Sequence, residues 1–181
     1  MSFARSLALF LGLLLIGSLP TAAQQKLFSH PVVAKDAERY ESYLKGVFKA
    51  VTPQAARTQR EAGLKLIADG GDARIAARQL AIAVVTDPKD VVAWTALAKA
   101  LIAMTPDPAR PAERYSIPVN ASGAAFIALE RAGSDPQRAV ALAALGEALK
   151  ARSMWRPAIE ALAASVKLVD ADDVRDTLDA L

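Results

Sequence analysis

Two prolines punctuate the chain, and each follows a small–large–small series with the same internal spacing. Ala76, Leu80 and Ala83 precede Pro88; Ala125, Leu129 and Ala132 precede Pro136. A second series follows each proline: Trp94, Leu97, Ala98 and Leu101 after the first, then Leu142, Leu145, Gly146 and Leu149 after the second. Ala158, Leu162 and Ser165 repeat the small–large–small series, with Asp170 in the place of a third proline. Apolar residues three and four apart share one face of a helix, whereas a strand would alternate them. No alternating stretch competes. The spacing predicts helices that come in pairs, small residues letting the two members approach. A single pair cannot bury its own apolar face, so the pairs must stack. Trp94 is therefore read as an anchor between pairs rather than a ligand platform.

Composition agrees. Of 181 residues 53% are hydrophobic, only 6% are aromatic, and alanine and leucine dominate. That mixture favours helix over sheet and suffices for one domain with a core. The expected fold is all-α: antiparallel helix pairs stacked as a short α-solenoid.

The small and large positions resemble those of the tetratricopeptide family over roughly residues 57 to 172. The resemblance divides the chain into repeats at about 57–90, 91–138 and 139–172, followed by a terminal helix from about Asp172 that Asp170 or Asp172 caps. Repeat one departs from the pattern, with Arg60 in the place of Trp94 and Gly63 where a large residue is expected. Repeat two is longer than the others. Its excess is assigned to "TPDPARPAERYSIPVNASG", residues 105–123, whose four prolines predict an extended loop. Tyr115, Ile117 and Val119 are expected to pack part of that loop on the body. "NAS" at Asn120 is a glycosylation acceptor only in a glycosylating host; otherwise Ser122 or Asn120 reads as the cap of the next helix.

Residues 1–23 read as a secretory signal: Arg5, an apolar run from Leu7 to Ile16, Pro20, then Thr21, Ala22 and Ala23 before Gln24. A membrane span needs about 20 apolar residues, more than this run offers. The expected location is a bacterial periplasm, with no membrane attachment after cleavage. There is no cysteine, so there are no disulfides. Residues 24–35 read as an extended lead-in, and the repeat domain as 36–181. The domain opens on a helix whose apolar stripe is Tyr40, Tyr43, Leu44, Val47 and Phe48; Thr52 and Pro53 then break the chain and start the next helix.

Net charge is +3 with signs interspersed, which does not favour nucleic acid. His30 is the only histidine and lies in the lead-in, so a Ser-His-Asp triad or a His-rich metal site is not expected. "SYLK", Ser42 to Lys45, has the Ser-x-x-Lys spacing of penicillin-recognising hydrolases without that family's other motifs. The Gly70–Gly71 pair lacks the lysine of a phosphate loop. The sequence predicts no enzyme and no cofactor.

"ERYSIPVNASGAAFIALERA" and "ARSMWRPAIEALAASVKL" also resemble the N-terminal helical segment of proteobacterial alpha-2-macroglobulin-family proteins. That resemblance implies a scaffold within an endopeptidase inhibitor, with adjacent macroglobulin domains as partners. This sequence reaches Leu181 before any such domain and has no cysteine for a thioester. A free-standing adaptor for a peptide or partner domain is the other reading. The tetratricopeptide resemblance places partner contacts on the first helices: Thr58, Glu61 and Lys65, then Val92, Thr95 and Lys99, then Ala143, Glu147 and Lys150. Tyr115 and Ile117 are expected to assist from the loop. Lys65 and Lys99, taken as equivalent, are expected to steer an acidic segment.

Overall fold

Three helices start where a side chain can satisfy their free N–H groups. Thr52 accepts from the amide of Ala55 at 3.3 Å, Asp72 from Arg74 and Ile75 at 2.8 and 3.1 Å, and Asp90 from Ala93 at 2.9 Å. Gly70, at φ 65°, supplies the left-handed residue that ends one helix before the next. The computed structural model describes residues 28–181, so the signal reading of residues 1–23 lies outside the described residues. Eight helices follow in order: α1 (Pro31–Val47), α2 (Pro53–Ala68), α3 (Ala73–Thr86), α4 (Val91–Ala103), α5 (Glu113–Arg131), α6 (Asp135–Ala151), α7 (Trp155–Leu168) and α8 (Asp172–Asp179). Among the described residues there is no strand.

The helices α2 and α3, α4 and α5, and α6 and α7 pack as antiparallel pairs, and each pair packs on the next. First helices touch one another across pairs, α2 on α4 and α4 on α6, whereas second helices make no comparable contact. The stack therefore closes up on the first-helix side. The leading helix α1 lies on the opposite side, mainly against α5 and less against α3. Close approach there needs Gly123, where an added Cβ would lie 3.3 Å from the backbone of Ala37.

Small residues set the spacing within pairs. A Cβ on Gly146 of α6 would lie 2.5 Å from Cγ of Leu162 and 3.3 Å from the carbonyl oxygen of Ala158. On Gly63 of α2 it would meet Cγ of Leu80 at 2.7 Å and the oxygen of Ala76 at 3.3 Å. Leu80 and Leu162 are equivalent residues of α3 and α7, so Gly63 is the counterpart of Gly146 and, by the Trp94–Leu142 register, of Ala98. The match lies one residue out of the register expected from the sequence, and Gln59 and Ala62 then stand where α4 has Trp94 and Leu97, so α2 still lacks those large residues. Trp94 is 1% exposed, and its Nε1 donates to the Pro88 carbonyl at 3.0 Å. The guanidinium of Arg131 sits 5.3 Å from its ring centroid. Trp94 is a core anchor.

Five expectations need correction. The lead-in ends earlier than residue 35: α1 begins at Pro31, which fits a first helical position. Phe28 is already buried, edge-on to Phe126. The buried stripe of α1 is Val33, Ala37, Tyr40 and Leu44, with Tyr43 and Val47 exposed, because the face that α5 and α3 cover is turned away from the latter two. The 105–123 loop is largely helical, since α5 starts at Glu113 and carries Pro118 inside it. Ser122 and Asn120 therefore lie within α5, not at its cap. Finally, α8 is preceded by Ala171 without a side-chain cap; Asp170 and Asp172 instead pair with Arg175.

The early start of α5 has a visible cause. Proline removes one helical hydrogen bond, a local penalty of about 3 kcal/mol. Against it, Ile117 is buried, and Arg74 of α3 donates to both Glu113 carboxylate oxygens at 2.9 Å. Glu113 also accepts from the Asp107 amide at 3.0 Å and pairs with Arg110. The hydrogen bonds from Arg74, then that from the Asp107 amide, hold its carboxyl down to about 2. A carboxylate at a helix N-terminus is itself favourable.

Candidate functional site

The first-helix face carries most of the residues singled out from the sequence, but not all at its surface. On α4, Val92 and Lys99 are exposed, whereas Thr95 is 7% exposed and its hydroxyl donates to the Val91 carbonyl. Thr95 is thus removed from the contact set, because α2 and α6 flank α4 closely on both sides. On α6, Ala143, Glu147 and Lys150 are half-buried and Val140 is exposed. Val140 stands in the position of Val92, and Glu147 in that of Lys99, by the Trp94–Leu142 register. Two exposed valines therefore recur at one height on adjacent helices, 47% and 46% exposed.

On α2 the equivalences change. With Gly63 matched to Ala98, the counterpart of Lys99 is Leu64, and that of Val92 is Arg57. Thr58, Glu61 and Lys65 are all exposed. Lys65 binds Asp69 at 2.6 Å rather than standing free beside Lys99. The expected pair of equivalent steering lysines is not formed. Arg60, expected in the place of Trp94, reaches instead to Asp90 at the start of α4, 3.1 Å away.

Tyr115 and Ile117 sit on α5, in the second-helix layer. Tyr115 is 73% exposed and borders a hollow with Arg114, Pro118 and Arg152, while Ile117 is buried. Neither joins the first-helix face. Ile117 has a structural task, and Tyr115 is an exposed aromatic on its own.

The terminal helix contributes what the sequence reading did not assign. Asp173, Val174 and Thr177 of α8 face Lys99, Ile102, Ala143 and Glu147 across a crevice of about 240 Å³. Leu162 of α7 also lines it. The only sequence hint was the helical spacing of Val174 and Leu178, which does not say where the helix docks.

Elsewhere the short motifs have structural uses. Lys45 of the Ser-x-x-Lys segment pairs with Glu41 at 2.7 Å, and the amide of Gly71 closes the end of α2 on Leu66 at 2.8 Å. Among the described residues no three His, Cys, Asp or Glu side chains converge as a metal site, and no helix is long and apolar enough to cross a membrane. No protein-family profile, characterised protein or solved structure matches the chain.

Proposed function

We propose that this protein is a non-catalytic interaction scaffold whose first-helix face receives an extended peptide or the surface of a partner domain. One observation carries the reading: Val92 and Val140 are exposed at equivalent positions of adjacent helices, with Lys99 and Glu147 about two turns farther along the same faces. Scattered single apolar residues on a surface mean little; a repeated pair along one face, rimmed by charge, is the composition of a contact surface. Exposed ion pairs add little affinity, so the valines supply the stabilisation and the charges the register.

On sequence character we place the chain as the N-terminal helical segment of a periplasmic alpha-2-macroglobulin-type endopeptidase inhibitor, presenting this face to adjacent macroglobulin domains. Coding sequence that continues into β-rich domains supports that placement; an unrelated neighbour makes the chain a free-standing adaptor.

The scaffold reading is tested by capture. Immobilised protein is exposed to a periplasmic extract, and the capture is repeated with the double variant Val92→Glu, Val140→Glu. Both sites are about half exposed, and an unchanged helical circular dichroism spectrum checks that the variant is folded. Loss of a captured partner is expected, and undiminished capture overturns the reading.

A further inference from the structure

We propose that the crevice between α8 and the α4–α6 surface receives one aliphatic side chain of an extended partner peptide, with a lysine or arginine next to it. The proposal rests on the scaffold reading and names the partner's chemistry at one end of that face.

Size selects the kind of occupant. The crevice holds about 240 Å³. Pockets that enclose drug-sized ligands or cofactors run from about 300 to 1,000 Å³, so this one suits a side chain. Its apolar lining is Ile102, Ala103, Ala143, Ala144, Leu162 and Val174. An aliphatic group placed there leaves water without leaving any donor or acceptor unpaired.

Charge selects the neighbour. Three ionised groups border the mouth: Lys99, Glu147 and Asp173. None of them takes part in an ion pair among the described residues. The rim is therefore net negative, with two carboxylates free to accept from a cation on the peptide. An acidic segment, expected from the lysines alone, would meet both carboxylates.

The wall can adjust. No residue of α8 is buried, and the helix is attached through α7. An element held by so few buried contacts moves at low free-energy cost, so a branched side chain can be accommodated without disturbing the pairs below.

The test uses ¹⁵N-labelled protein titrated with a blocked nine-residue peptide that carries a central leucine followed by two lysines. Saturable amide shifts are expected at Ala143, Glu147 and along α8. Replacing the peptide's leucine by serine, or filling the crevice with Ala143→Phe, should weaken binding at least tenfold. Replacing its lysines by glutamates, or Asp173→Lys in the protein, should weaken it about fivefold at low salt and less at high salt. Should Ala143→Phe fail to fold, the serine peptide and the exposed Asp173→Lys decide alone. Shifts confined to Val92 and α2, with the crevice amides unmoved, overturn the crevice proposal and leave the scaffold reading standing. No saturable shift on any first helix overturns the crevice proposal, and the scaffold reading is then decided by the capture experiment with the Val92 and Val140 variant.

Discussion

The guanidinium of Arg152, in the turn between α6 and α7, donates to the carboxylate of Asp36 on α1 at 2.9 Å across 116 positions of sequence. Its other nitrogen donates to the hydroxyl of Ser122 on α5 at 2.7 Å, and Ser122 in turn donates to the Val119 carbonyl. Asp36 and Arg152 are 11% and 12% exposed. One arginine thus joins the leading helix, the long second helix and the last pair.

Breaking a shielded pair leaves a charge without its partner, a larger loss than the pair's own contribution. Arg152→Ala should therefore cost about 2–4 kcal/mol in urea unfolding, at the low end of the buried-pair range because some water reaches the site. Asp36→Leu combined with Arg152→Met should recover much of it. A change below about 0.5 kcal/mol for Arg152→Ala, within the range of ordinary surface substitutions, would show that the pair holds nothing.

Trp94 is buried in α4, with Arg131 of α5 over its ring, and makes a hydrogen bond to Pro88 besides. Trp94→Ala should cost about 3–5 kcal/mol, enough to remove most of the stability of a marginal domain. Thermal melting by circular dichroism checks it; an unchanged midpoint would contradict the anchor role.

Glycines at contact and in open space should respond with opposite signs. Gly146→Ala would place a methyl 2.5 Å from Leu162, so it should lose about 1–3 kcal/mol despite better helix propensity. At Gly46 in α1 nothing lies within 4 Å, and Gly46→Ala should gain up to about 1 kcal/mol. Denaturation of the two variants side by side is the measurement, and equal signs would refute the close-approach account.

Glu113 predicts an acid-sensitive segment. Its folded carboxyl is held at about 2 by Arg74 and the Asp107 amide, below the ordinary 4.5. A depressed carboxylate contributes stability above its unfolded value and loses it as pH falls through the folded one. The difference in melting temperature between the wild type and Glu113→Gln should be full above pH about 5 and vanish toward pH about 2. A difference that does not change with pH would place the role of Glu113 in shape rather than charge.

The helical class, the pairing and the central positions of the core were legible in the sequence. Apolar periodicity and punctuation are local properties, and burial of Ala76, Leu80, Trp94, Leu97, Leu142, Leu145, Ala158 and Leu162 follows from them. Tertiary structure decided the remainder. Pro118 argues locally for a loop, and the buried Ile117 and the contacts of Glu113 with Arg74, Arg110 and the Asp107 amide carry the helix back past it. Gly63 looks like a defect until Leu80 is seen to fill the space that it leaves. Thr95 reads as a surface residue until neighbouring helices close over it, and Lys65 matches Lys99 by counting but not by contact. The crevice is the clearest instance, since its walls come from four helices. Composition sets which faces must be buried; which partner buries them depends on distances between residues far apart in the chain, and no local pattern encodes those.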